Sequence, residues 1–323
     1  MNVTGKVRTL LAAAILSSFA ATAGAQSYPS RPIRLIVPFP PGGSVDHVAR
    51  IIGPTLSEYL GQNVIIDNRG GASGTIGTYE AARAAADGYT LLMVFDSHAV
   101  NQHLYRNIKY DTFNSFDYIS LMVSAPMLLA TAKNFAPQTV PKMIAYAKAN
   151  PDKVTYGSSG VGGSNHLYGL AFASQANFSA THVPYKGGGP MLTAILGGEI
   201  NYVVTTLPVV MQYVKSGQVR ALAIGSQARV PQLPDVPTIA EFVPGYEANS
   251  WVGMMVPKGV PKDVLAKIEA SLRKTLEFAD INARLKSEGF NVIASDPEQF
   301  REKVRMESER LGRLIKESNI RVD

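Results

Sequence analysis

Short apolar runs alternate with amphipathic stretches along most of this chain, with a turn rich in glycine and serine between them. Ile33 to Val37 reads as a buried strand, and Pro38-Phe39-Pro40-Pro41-Gly42-Gly43-Ser44 breaks it. A helix follows from Val45, with Val48, Ile51, Ile52, Leu56 and Leu60 on one face. Val64 to Ile66 is the next strand, Gly70-Gly71-Ala72-Ser73-Gly74 the next turn, and Thr75 to Ala86 the next helix, before a strand at Tyr89 to Val94. The grammar returns after a helix at Val140 to Ala149: a strand at Val154 to Tyr156, the small-residue turn Gly157 to Ser164, and a helix from Asn165. His182 to Pro184 is extended, Tyr185 to Pro190 opens a helix through Leu196, Tyr202 to Thr205 is a strand, Pro208 opens a helix, and Ala221 to Ile224 is a strand. This alternation predicts an α/β fold with strand-to-helix turns gathered at the carboxyl ends of the strands.

A Pro-rich connector spans Pro231 to Pro244, and beyond Trp251 to Val256 the chain turns strongly helical. Asp296-Pro297 starts the last helix, since Asp can cap and Pro suits the first turn. Phe300, Val304, Leu311, Leu314 and Ile315 form its buried face, and Ser308 reads as solvent-facing. At 323 residues, two domains of about 150 residues each are expected. Hydrophobic residues at 46% against 17% charged suit real cores and exclude a disordered chain. The lack of cysteine excludes disulfides, thiolate metal sites and a cysteine nucleophile.

Lys6 and Arg8, the apolar run Leu10 to Ala21 and Ala23-Gly24-Ala25 form the pattern of a cleaved leader. Residues 1–25 are therefore expected to be a signal peptide, with Gln26 the first residue of an exported, periplasmic protein. The apolar run is short of the roughly 20 residues a membrane anchor needs. The net charge of +6 is modest and no basic cluster is interleaved with aromatics, which argues against nucleic acid as a partner.

A helix N-terminus presents unpaired N–H groups and a partial positive charge, and glycine lets a ligand approach the backbone. Each glycine–serine turn taken alone is a plain strand-to-helix connection; their number points to an anion-binding cleft. Phosphate-loop and dinucleotide signatures are absent: Gly160-Val161-Gly162-Gly163-Ser164-Asn165 has Asn where the third glycine belongs. Gly157-Ser158-Ser159-Gly160-Val161 and Gly71-Ala72-Ser73-Gly74-Thr75 both miss the last glycine of a nucleophile elbow. A secreted hydrolase using Ser158, Ser159 or Ser164 with His166 is the rival reading. The histidines at 47, 98, 103, 166 and 182 form no metal-binding pair four apart, and no metal or cofactor is expected. His166 suits either helix-start packing or ligand contact. Arg69 suits either a ligand carboxylate or a pair with Asp67 or Asp46. Trp251, the single tryptophan, suits a core or hinge.

Across nearly the whole chain the segments resemble the periplasmic substrate-binding receptors of tripartite tricarboxylate transporters, the Bug-type receptors. They are Tyr28-Pro29 with Arg31-Pro32-Ile33, Val37 to Gly43, Asp67 to Ala72, Ala86 to Leu91, Tyr156 to Gly160, Val183 to Gly187, Arg220 to Ala223 and Pro234 to Thr238. The resemblance implies a type II-like periplasmic binding protein, a monomer without enzymatic activity, whose two lobes close on a small organic acid. It implies a dicarboxylate or aromatic carboxylate handed to membrane subunits, or reported to a sensor. The lobes would be 27–127 with 249–323, and 128–248, joined by two hinge crossings. First-lobe contacts would come from Phe39, Pro41, Gly42, Gly43, Ser44, Ala72, Ser73 and Thr75. Second-lobe contacts would come from Ser158, Ser159, Ser164, Asn165, His166, Tyr185, Thr205 and Thr206. Family members that bind amino acids carry an acid near the strand that here reads Tyr202 to Thr206, so this chain is expected to bind an acid without an ammonium. Asp96 stands in the Phe95-Asp96-Ser97-His98 turn, where the family has small residues, and is placed to bond a ligand hydroxyl or a protonated carboxyl.

Overall fold

The computed structural model describes residues 28–322. The expected leader and its cleavage point lie outside the described residues. The chain begins with β1 (Ile33–Val37), α1 (Ser44–Leu60), β2 (Val64–Asn68), α2 (Thr75–Ala82), β3 (Thr90–Phe95), α3 (Ser97–Leu104) and β4 (Phe116–Ala132). Next come α4 (Val140–Ala149), β5 (Thr155–Ser158), α5 (Ser164–Gln175), β6 (Thr181–Pro184), α6 (Gly188–Gly197), β7 (Tyr202–Thr206), α7 (Leu207–Lys215) and β8 (Val219–Ile224). It ends with β9 (Asn249–Pro257), α8 (Lys262–Glu277), α9 (Ala279–Ser287), β10 (Asn291–Val292) and α10 (Pro297–Glu317).

The strands run in the order β2-β1-β3-β9-β4-β7-β5-β6, with β10 and β8 also paired to β4. β1 is parallel to β2 and β3, and β5 is parallel to β6 and β7, so each half is a βαβ assembly. The α1 stripe of Val48, Ile51, Ile52, Leu56 and Leu60 is buried, as its periodicity predicts. It packs with Ile33, Leu35 and Val37 of β1 and with Ile268 and Leu272 of α8. Burying each such side chain contributes about 1.5–3 kcal/mol. A second core gathers Leu128, Tyr156, Leu167, Phe172, Ile195, Tyr202 and Val204.

One strand belongs to both halves. β4 pairs with β9 from Phe116 to Pro126, then with β7 from Met127 and with β8 from Leu128. The chain returns at Asn249, which faces Pro126. α10 bridges two clusters: Phe300 and Val304 pack with Trp251 in a third core, whereas Leu311 and Ile315 join the Leu128 cluster.

The last helix departs from its sequence reading at two positions. Ser308 is buried at 3% exposure, accepts a bond from Gln102 Nε2 (2.8 Å) and lies within hydrogen-bond distance of His103 Nε2 (2.9 Å). It lies one helical repeat after Val304 and so on the buried face. Leu314 is only partly buried.

Candidate functional site

The carboxyl ends of β1, β2, β3, β5, β6 and β7 deliver the glycine–serine turns, and side-chain contacts show which turns meet. Ser44 Oγ lies 3.3 Å from Thr206 Oγ1, joining the start of α1 to that of α7. Ser164 Oγ, at the start of α5, donates to Asp96 Oδ1, the residue before α3. Ser97 Oγ (3.0 Å) and Asn101 Nδ2 (3.1 Å) both donate to the Ser73 carbonyl, fixing the Ala72–Gly74 turn against α3. The Phe39 ring lies against Gly74, where an added Cβ would stand 3.1 Å from Cζ.

Gly71 and Gly74 take positive φ, as do Ala72 (48°) and Ser73 (52°). Consecutive left-handed non-glycine residues cost about 1–2 kcal/mol each, a strain that functional turns tend to hold. Pro41 and Gly42 are exposed, whereas Gly43, Ser44 and Thr75 are partly buried.

In the second lobe the Tyr185 N–H bonds the Ser158 carbonyl (2.9 Å) and the Gly187 N–H bonds the Ser159 carbonyl (3.1 Å). Ser159 Oγ donates to Asn165 Oδ1 (2.9 Å), and Asn165 Nδ2 donates to the Val204 carbonyl (3.0 Å). Thr205 and Thr206 are buried. The structure thus brings Ser44 to Thr206, Phe39 to the Ala72–Gly74 turn, and Ser158, Ser159, Asn165 and Tyr185 together through a further set of contacts.

The helices that begin at these turns lack side-chain caps. α1, α2, α5 and α6 start behind Gly43, Gly74, Gly163 and Gly187, and α7 behind Thr206, none with a capping hydrogen bond from its side chain. By contrast Thr139 caps α4 and Asp296 caps α10. α2, α5, α6 and α7 carry no acid in the first turn, so their positive ends are not internally neutralised. α1 does hold Asp46 there. Burial alone would raise its carboxyl, but bonds from Arg50, the Gly42 N–H and Asn68 outweigh that and hold it below the usual value. Such a set of N-termini is suited to an anion.

The charge for this does not come from histidine. His166 and His182 stack with ring centroids 3.8 Å apart, beside Tyr156. Burial, with His182 adding repulsion, lowers His166 to about 3, and burial lowers His182 to about 4. Both rings are neutral near pH 7 and support the turn: the Gly162 N–H donates to His166 Nδ1 (3.0 Å). His182, part of an extended run in the sequence pattern, stands opposite Tyr156 in the β5–β6 register.

The hydrolase geometry is not assembled. His166 bonds none of Ser158, Ser159 or Ser164, whose hydroxyls engage Gly160 and His182, Asn165 and Asp96 respectively. Ser158 is fully buried, and its O–H bonds the Gly160 carbonyl at 2.9 Å. His182 Nε2, not His166, is the ring nitrogen beside this hydroxyl, 2.6 Å away. Among the described residues no cluster of three or more potential ligands could hold a metal. Arg69 Nε pairs with Asp67 at 3.0 Å, the loop-fixing alternative. Asp96 is buried, and desolvation pushes its carboxyl up to about 7 against the pull of the Ser164 hydroxyl.

Two lobes joined by shared strands, with uncapped helix ends facing a common seam, define a solute-binding protein. Residues 48–320 match the family described as tripartite tricarboxylate transporter family receptor, and the chain belongs to that family. Protein BugT of Bordetella pertussis is 34% identical over 318 residues, covering 96% of this chain and 98% of BugT. The solved structure of R. palustris Rpa4515 with adipate is 32% identical, with a TM-score of 0.86 over 91% of this chain and 100% of that one. MatC from Rhodopseudomonas palustris with bound malate is 29% identical, with a TM-score of 0.81 over 89% and 100%.

Proposed function

We propose that this chain is a periplasmic receptor that captures a small organic acid, a dicarboxylate or an aromatic carboxylate, and presents it to the membrane subunits of a tripartite transporter. The observation that carries this reading is the contrast in helix ends. Those of α2, α5, α6 and α7 have neither a side-chain cap nor an acid in the first turn, whereas α4 and α10 are capped by Thr139 and Asp296 and the uncapped α8 and α9 carry Asp263 and Asp280 there. The neutral state of His166 and His182 leaves the attraction to the backbone, which suits a carboxylate better than it suits proton transfer. Relatives that hold adipate and malate support the ligand class.

In this reading 27–127 with 249–323 form one lobe and 128–248 the other. β4 at Pro126–Met127 and β9 at Asn249 are the hinge crossings. Closure would bring Ser44, Ser73 and Thr75 against Ser159, Ser164 and Thr206, around the acid. The protein would act as a monomer after removal of residues 1–25.

The test is thermal unfolding of refolded, ligand-stripped protein against a panel of dicarboxylates, aromatic acids, amino acids and sugars. A ligand at a hundred times its Kd adds about 2.7 kcal/mol to stability. At least one acid is expected to raise Tm by several degrees while the sugars leave it unchanged. A panel in which no acid shifts Tm would defeat the proposal.

A further inference from the structure

A cavity of about 570 Å³ lies between the end of α3, the second half of α10 and the residues that follow it. None of its lining residues belongs to the glycine–serine turns. Its volume suits a small organic molecule. α3 reaches α10 over Gly312, where an added Cβ would stand 2.7 Å from His103 Nε2. Leu104 and Ile315, both buried, and Ile320, partly buried, give the cavity an apolar wall.

Arg313, Lys316 and Arg321 also line it, and all three are exposed. Among the described residues none of the three has an ion pair or a side-chain hydrogen bond. Glu309 is the one acid in the lining, and it is already paired with Arg305. Burial lowers the His103 imidazole from its ordinary value, so the positive charge here is that of the arginine and lysine side chains. Arg313 and Lys316 stand three residues apart on one face of α10, a spacing at which like charges repel. Lys316 lies in the last turn and answers the negative end of the helix. Arg313 precedes that turn and Arg321 lies beyond the helix, so the dipole does not account for them.

We propose that this cavity is a second binding site, for an amphipathic anion whose aromatic or alkyl body lies against Leu104, Ile315 and Ile320 and whose phosphate ester or similar doubly charged group is held by Arg313, Lys316 and Arg321. The guanidinium forks suit a phosphate in two-pronged fashion, and the lysine adds a point charge. The inference goes beyond the acid-receptor reading and does not depend on it.

The experiment is calorimetry on ligand-stripped receptor with 1-naphthyl phosphate, inorganic phosphate and 1-naphthol. The ester is expected to bind at least about tenfold tighter than either of its parts. Lys316→Glu and Arg313→Glu should each weaken it by at least about tenfold, and Lys316→Gln by less. Lys274→Glu, on an exposed face of α8, makes the same charge change elsewhere and should leave binding within about twofold of the parent. Gly163→Asp, at the start of α5, should likewise leave it unchanged. Circular dichroism and Tm report that each variant keeps its fold. A lipid headgroup carries the same chemistry as a soluble ester. Sedimentation with vesicles of phosphatidylcholine and phosphatidate, lost in Lys316→Glu, would mark the lipid as the source; an ester that binds without such sedimentation marks a soluble one. No binding of 1-naphthyl phosphate, an affinity equal to that of inorganic phosphate, or binding that survives Lys316→Glu and Arg313→Glu overturns the inference. Loss of binding in Gly163→Asp alone would put the probe among the glycine–serine turns and overturn it too. Each of these results leaves the carboxylate reading intact, because that reading is tested with other ligands at other residues.

Discussion

Ser44 Oγ and Thr206 Oγ1 stand 3.3 Å apart, although 162 positions separate them in sequence. Each lies at the start of a helix, and the two helices belong to different cores. In the proposed clamp this contact is made when the two lobes close. The chain has no cysteine of its own, so a Ser44→Cys, Thr206→Cys variant has a single pair of thiols to oxidise. Under mild oxidant the crosslink is expected to form several-fold faster with a binding acid present, and to slow release of trapped acid by at least tenfold. Gel mobility under non-reducing conditions and a dilution-release assay measure the two effects. Crosslinking at the same rate with and without acid would show that this contact does not follow ligand-driven closure.

Gly163 supplies a second test of the anion site. It precedes α5 with φ −69° and ψ 161°, a conformation open to any residue. An added Cβ there meets the Gly160 carbonyl oxygen and Ser159 Oγ at 3.4 Å, ordinary contact. Serine at this position would claim one helix N–H, and aspartate would claim it and add a negative charge. Affinity for the acid is expected to fall in the order parent, Gly163→Ser, Gly163→Asp, the last by at least about tenfold or about 1.4 kcal/mol. Ala283→Asp, on an exposed face of α9, carries the same charge away from the seam and should bind as the parent does. Calorimetry on the three variants reads the order directly.

Much of this site was legible because its chemistry is local. A glycine before a helix and a hydroxyl after it are visible as letters, and the turns at Gly42–Ser44, Ala72–Gly74 and Ser158–Ser164 stand where the pattern places them. What stayed hidden depends on tertiary neighbours. β4 and α3 fall between Phe95 and Val140, where the pattern predicts only a turn. Nearly every residue of β4 is buried, so it lacks the two-residue alternation that marks a half-exposed strand. α2 ends at Ala82, short of the Ala86 that its composition suggests. The fate of a polar side chain was equally out of reach. Nothing local says that Ser158 would bond His182, that His166 would stack on His182, or that Asp96 would meet Ser164 across 68 positions.

The buried histidines predict how the protein responds to acid. His98, like His182, is lowered to about 4 by burial, and His166 to about 3, against 6.5 for a free imidazole. Below about pH 6.5 the unfolded chain binds protons that the folded chain refuses. Their contribution to stability is therefore complete above pH 6.5 and is lost progressively as pH falls toward 4 and 3. Asp96, raised to about 7, acts in the opposite sense, because the folded state holds its proton where the unfolded chain has lost it. Tm is expected to fall between pH 7 and pH 4.5, and His182→Gln should flatten that fall while lowering Tm at pH 7. A parallel acid slope in parent and variant would place the sensitivity elsewhere.

Gly253 marks how tightly the return crossing is packed. It lies in β9 opposite Val94 of β3 and Leu121 of β4, under the first turn of α10. An added Cβ would stand 2.1 Å from Phe300 Cζ and 2.6 Å from Cε1. Phe300 cannot move aside easily, because its ring is edge-on to Tyr118 at 5.2 Å and to Trp251 at 5.5 Å. Overpacking of this kind costs about 1–3 kcal/mol. Gly253→Ala is therefore expected to lower Tm by several degrees, and Phe300→Leu in the same chain should restore part of the loss by withdrawing the ring. Gly253 meets Phe300 and bonds no residue of the glycine–serine turns, so acid affinity at a temperature where the variant is folded should stay within about twofold of the parent. Unfolding curves of the single and double variants, with calorimetry at 15 °C, separate packing from binding. A Gly253→Ala protein as stable as the parent would mean that Phe300 has room the contacts do not suggest.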